Sequence, residues 1–80
     1  MKAKQIIYNI LENISGIPPE NETDSLTEDL LLDSLNLVVL LLELEAAFDF
    51  HLEESDMNPL DLTTVQDVIH LVQKYREAAL

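Results

Sequence analysis

Residues 32–49 read LDSLNLVVLLLELEAAFD, and where charge falls in this stretch decides how the chain folds. Asp33 stands before a dense apolar run, where its carboxylate can accept hydrogen bonds from the free amides of a first helical turn. A helix is therefore expected from Ser34 to about Asp49. At about 100° per residue, Leu37, Leu41, Leu44 and Phe48 fall on one side of it, the expected core face. Leu35, Val39, Leu42 and Ala46 fall on the opposite side at the same four-and-three spacing, and Val38 lies between the stripes. Two apolar stripes on one helix need two layers of cover. Either the segments 17–32 and 53–62 close over the second stripe, or it stays exposed beside Ser34 as a surface for partners.

The flanking chain supplies two more helices. Upstream, Ala3, Ile6, Ile7, Ile10, Leu11 and Ile14 recur at three and four over residues 2–14, and Gly16 followed by Pro18 and Pro19 ends that helix near Ser15. Glu20 to Glu28 is acidic and aperiodic, a surface loop, after which Leu26, Leu30 and Leu32 can dock it onto the core. Downstream, Phe50, His51 and Leu52 read as extended chain leaving the helix. Residues 53–61, with Pro59 and few apolar side chains, permit at most a short or irregular helical turn. Thr63 with Gln66 is a capping-box spacing, and Val65, Val68, Ile69, Val72 and Tyr75 carry a last helix over about 64–78. The expected fold is all-α: a small four-helix bundle of three longer helices and one short or irregular one, a single domain over residues 1–80.

Composition removes several function classes. Sixteen acidic against four basic residues give a formal charge of −12, and no Lys or Arg occurs between Gln5 and Gln73, so neither a nucleic acid nor an anionic membrane finds a footprint. The natural partner is basic, and a monomer is expected. There is no cysteine, hence no disulfide, thiolate metal site or cysteine nucleophile. His51 and His70 lack an i,i+4 partner and are expected at the surface rather than on zinc, and the acidic loops lack the ligand spacing of a dedicated calcium loop. No catalytic or metal residues are assigned. The apolar run from Leu35 to Leu42 is about half the ~20 residues of a membrane span, so membrane insertion is not expected and a freestanding cytoplasmic protein is.

Leu32-Asp33-Ser34-Leu35, opening an acidic, Leu-rich helix that closes in Glu45-Ala46-Ala47-Phe48, resembles the phosphopantetheine attachment site of acyl carrier proteins. Leu62 to Ile69 resembles the start of that family's last helix at the family's spacing, so the likeness covers nearly the whole chain. It implies that the Ser34 hydroxyl, flanked by Asp33 and Leu35, is joined through a phosphodiester to 4′-phosphopantetheine, donated by coenzyme A through a separate Mg²⁺-dependent phosphopantetheinyl transferase. The terminal thiol would carry an acyl group as a thioester between acyl-loading and acyl-processing enzymes, so the reactive sulfur belongs to the prosthetic group of a chain without cysteine. A helix N-terminus, with free amides and the positive end of the helix dipole, suits a phosphate.

Two departures from the family narrow this reading. A glycine common two positions before the Asp is Leu31 here, which is expected to change the loop entering the site. The enzyme-facing side of the second helix usually carries acids. Here it holds Asn36, Val39, Ala46 and Ala47, with only Glu43, Glu45 and Asp49 charged. A specialised carrier is expected, in a lipid, polyketide or related pathway, whose partners grip Leu35, Asn36, Val39, Leu42, Glu43 and Ala46 largely by apolar contact. The alternatives are an aminoacyl or peptidyl carrier of nonribosomal type and, outside the class, an unmodified helical adaptor.

Overall fold

The computed structural model describes residues 3–78. Helices α1 (Ala3–Ser15), α2 (Ser34–Phe48) and α3 (Val65–Ala78) follow in order, with two 3₁₀ turns, Glu54–Asp56 and Pro59–Asp61, between the last two. Among the described residues there is no β-strand, and a single antiparallel bridge joins Ser25 to Thr64. The all-α bundle is thus as expected, and its fourth, irregular helix takes the form of the two single turns. Pro59 starts the second of them, where its missing N–H costs nothing, and the Asn58 side chain accepts the Leu60 N–H at 3.0 Å.

Each helix buries one side. Ile7, Ile10 and Leu11 of α1 meet Leu37, Leu40, Leu41 and Leu44 of α2 and Val65, Val68, Ile69 and Val72 of α3 in one cluster. Gly16 ends α1 with φ +77°, and its N–H returns to the Glu12 carbonyl at 2.7 Å. On α2 the core face is shifted from the expected one. Leu40 is fully buried, whereas Phe48 is half-buried and stacks on Phe50, which stacks in turn on Tyr75, with centroids 6.2 and 5.0 Å apart. Leu40 lies three residues from Leu37 and four from Leu44, so it completes the inward stripe, and Phe48 is left to close the end of the bundle.

The long acidic loop is ordered by its own side chains and by α3. Leu26, Leu30 and Leu32 are buried as expected. The Leu26 N–H donates to the Thr63 carbonyl at 2.9 Å, and the Val65 and Gln66 N–H groups donate to the carbonyls of Asp24 and Glu22. Carboxylates that look like surplus charge in the sequence build the turns: Asp24 accepts the N–H groups of Glu20 and Asn21, and Asp29 accepts that of Ser25. The cap of α3 lies one residue later than the spacing of Thr63 and Gln66 suggested. Asp67 accepts the N–H groups of Thr63 and Thr64 at 3.0 Å, and Thr64 Oγ1 accepts that of Asp67. The Gln66 backbone amide is committed to the loop, and its side chain is exposed.

Candidate functional site

Ser34 is the first residue of α2 and is exposed, with Asp33 as the extended N-cap before it. Asp33 Oδ1 accepts the Asn36 N–H at 2.8 Å, and Asn36 Oδ1 accepts the Asp33 N–H at 3.2 Å, a reciprocal capping box. This box uses two of the four orphan amides of the helix start and leaves those of Ser34 and Leu35 to the outside. An anion on Ser34 would meet both, at the positive end of a helix of 15 residues. The chain thus offers a phosphate group backbone donors and an exposed hydroxyl to hold it. The Asp33 charge opposes a second anion, but its oxygen is engaged in the cap.

Before Ser34 the backbone is constrained. Leu31 has φ +57°, the left-handed region that glycine favours. Its neighbours explain why. Leu30 and Leu32 both point into the core, and their N–H groups donate to the carbonyls of Ser25 and Leu26 at 3.1 and 2.9 Å. Forcing Leu31 into this region costs roughly 1–2 kcal/mol, yet the side chain gains little packing in return, being 70% exposed.

The second stripe of α2 is not covered. Leu35 is 71%, Leu42 52% and Val39 36% exposed, and Val38 and Ala46 are exposed with them. Glu43 is exposed alongside. Three other residues of this helix have different duties from those expected. Asn36 belongs to the cap. Glu45 is half-buried and its Oε2 accepts the Leu52 N–H at 2.7 Å, pinning the chain that leaves the helix, with exposed His51 Nδ1 3.9 Å away. Asp49 is the left-handed C-cap, φ +53°. Of the acids expected to remain available there, Glu45 alone has its carboxylate committed to the fold, while those of Glu43 and Asp49 are exposed. Asp33 and Asn36 at a three-residue spacing could have been read as a cap. Nothing in the sequence marks Glu45 as a clamp, because its partner is a backbone amide seven residues away.

At the opposite end, the first 3₁₀ turn is latched to α3. Tyr75 Oη donates to Asp56 Oδ2 at 2.6 Å and accepts the Glu53 N–H at 2.8 Å, while Lys74 Nζ lies 2.9 Å from the same carboxylate. The hydrogen bond from Tyr75, with help from Lys74, holds Asp56 below the usual carboxylate range. Burial, then the neighbouring Asp56, pushes the Tyr75 hydroxyl up, and the hydrogen bond to Asp56 raises Lys74. Asp61, Asp67 and His70 line a cavity of about 250 Å³ beside this latch, to which Ser34 does not contribute. Among the described residues no group of acids and histidines is arranged to hold a metal ion, and no helix is long and apolar enough to cross a membrane.

Comparison with known proteins agrees with this geometry. Residues 5–72 match the family described as phosphopantetheine attachment site. The D-alanyl carrier protein of Lactococcus lactis subsp. lactis is 34% identical over 92% of this chain and 96% of its own length. The acyl carrier protein of Chlamydia muridarum is 37% identical over the same shares, and that of Desulforapulum autotrophicum is 37% identical over 91% of each chain.

Proposed function

The chain belongs to the phosphopantetheine-bearing carrier proteins, non-catalytic tethers for activated groups, and within that family we propose that Ser34 bears the arm. The observation that carries this is an exposed hydroxyl on the first residue of α2 beside two uncommitted amides. Coenzyme A is the donor: a P–O bond to Ser34 Oγ forms as the pyrophosphate P–O bond breaks, adenosine 3′,5′-bisphosphate leaves, and the hydroxyl proton passes to a base of the transferase. When attached, the arm supplies the thiol that holds the cargo. Asp33 fixes the start of the helix, and Leu35 flanks the tether.

Partner enzymes, on this reading, dock on Leu35, Val39, Leu42 and Ala46, with Asn36 and Glu43 at the margin, so burial of side chains outweighs ion pairing. The exposure of those side chains supports this, together with the scarcity of free acids on α2. The cargo is an acyl group of a specialised lipid, polyketide or related pathway in the cytoplasm, handled by a single carrier domain. The likeness to D-alanyl carrier proteins favours a second reading, an aminoacyl cargo. Loading assays with acyl and with aminoacyl donors separate the two.

The assignment of Ser34 is tested by incubation with coenzyme A, Mg²⁺ and a broad-specificity phosphopantetheinyl transferase. One phosphopantetheine should be added to the wild type and none to Ser34→Ala, which should fold normally because Asp33 makes the cap. An unmodified wild type, or a group on Ser15, Ser25 or Ser55, contradicts it. Ser15 and Ser25 use their hydroxyls within their own turns.

A further inference from the structure

Leu31 and Leu35 bracket Ser34 in sequence, and each is about seven-tenths exposed. Leu35 follows the serine directly on α2. Leu31 lies three residues before it, which keeps its Cα within about 10 Å of that of Ser34 whatever the course of the loop. Leu31 is also held in a left-handed conformation that only its neighbours require, since buried Leu30 and Leu32 fix the backbone on either side. Two exposed branched hydrocarbon side chains therefore stand within a few residues of the attachment point, one of them on a left-handed backbone.

Resting on the attachment of phosphopantetheine at Ser34, we propose that Leu31 and Leu35 form an apolar seat for the pantoyl segment of the arm. The chemistry of the arm matches the seat in order. Its phosphate comes first, at the helix start where the amides of Ser34 and Leu35 would be available to it. Its gem-dimethyl carbon, the one branched hydrocarbon along it, comes next, one methylene beyond the phosphate ester. The amides and the thiol follow and have no affinity for leucine. A second copy of the chain is a poor occupant, since each copy brings a net charge of −12. The arm is covalently local, so its effective concentration at the seat is high without any partner. The seat sets the direction in which the arm leaves the helix, and so the side from which its thiol is presented.

Methyl-labelled protein in its unmodified and modified forms tests this by NMR. The Leu31 and Leu35 methyl signals should shift on modification and show cross-relaxation with the pantoyl methyls, whereas those of Val39 and Leu42 should stay in place. Leu31→Gly tolerates the left-handed backbone and removes the side chain, so it should weaken the contact and move the pantoyl methyl signals towards those of free phosphopantetheine. Leu35→Ala should do the same. If the mass shows a modified Ser34 but the pantoyl methyls match the free compound, the seat is wrong and the attachment stands. If the leucine methyls move only when a partner enzyme is added, they serve that protein and the proposal is also overturned. Absence of any mass increment on Ser34 instead removes the attachment reading on which the seat rests.

Discussion

Leu41 and Leu42 are adjacent on α2, identical in kind, and differ completely in fate: Leu41 is sealed in the core while Leu42 is 52% exposed. The same contrast runs the length of the helix, with Leu37, Leu40, Leu41 and Leu44 inside and Leu35, Val38, Val39 and Leu42 outside. Hydropathy does not distinguish the two faces. What does is the supply of partners, because α1, α3 and the long loop together provide enough apolar surface for one side of α2 and no more. The free face of the helix remains apolar against that background, and this is the surface on which the proposed docking of partners rests.

The sharpest way to break the contrast is truncation of neighbours. Leu41→Ala should cost about 2–5 kcal/mol in denaturant unfolding, since it leaves a cavity in a closed core, and Leu42→Ala should lie within about 0.5 kcal/mol of the wild type. Equal losses would mean that the outer stripe is covered. Next in size are the polar ties that shape the far end of α2. Glu45→Ala leaves the Leu52 N–H without its acceptor and should cost about 1–3 kcal/mol, and Tyr75→Phe, which unlatches Asp56 and Glu53, about 1–2 kcal/mol. Glu43→Ala, by contrast, should be near neutral in stability. The contrast between Glu43 and Glu45 separates a carboxylate available to partners from one consumed by the fold.

At Leu31 a smaller difference is expected, of about 1 kcal/mol. Leu31→Gly should be more stable than Leu31→Ala, because glycine relieves the left-handed strain that alanine keeps, and this gain exceeds the added freedom of the unfolded chain. The reverse order would show that the backbone there is unstrained.

Charge acts on the whole molecule with the gentlest slope. With 16 acidic residues against four basic ones, added salt or millimolar Mg²⁺ should raise the melting temperature, and mild acidification from pH 7 should do the same as repulsion fades. Asp56 opposes this at lower pH. Its lowered pKa contributes stability above the ordinary carboxylate value and loses it as pH falls through the lowered one, so stability should turn down below about pH 4. Lys74 mirrors it, contributing below the ordinary lysine value and losing that as pH rises through its raised one. Asp56→Asn should flatten the acid limb of the curve. A melting temperature indifferent to salt would mean that the acids are already paired within the fold.

The helices were legible because their signals are local: a three-and-four period, a glycine and two prolines after Ser15, an Asp before an apolar run. Ser34 was legible through the blocks on either side of it and not through Asp-Ser-Leu alone. The departures all involve partners distant in sequence. Leu40 joins the core and Phe48 only half does, because Phe48 stacks on Phe50, which stacks on Tyr75, a fact no window on α2 contains. The start of α3 moved by one residue because the loop at 22–26 claims its first amides. Asn36 and Glu45 read as exposed side chains and proved to be acceptors for backbone amides that are orphaned only once the helix has begun or ended, and Asp49 closes the helix through its left-handed backbone.

Transfer of cargo between this carrier and its native partner enzyme, followed for Val39→Glu and Leu42→Glu alongside circular dichroism and a salt series, tests the role of the outer face most directly. Transfer should fall with helix content unchanged, Glu43→Ala should matter less, and the wild-type interaction should persist as salt rises, because each large side chain buried at a well-packed contact contributes on the order of 1 kcal/mol or more without ion pairs. Unfolding of Val39→Glu would place the stripe in the core. Full transfer by both Glu variants, or an interaction abolished by modest salt, would contradict apolar docking on α2.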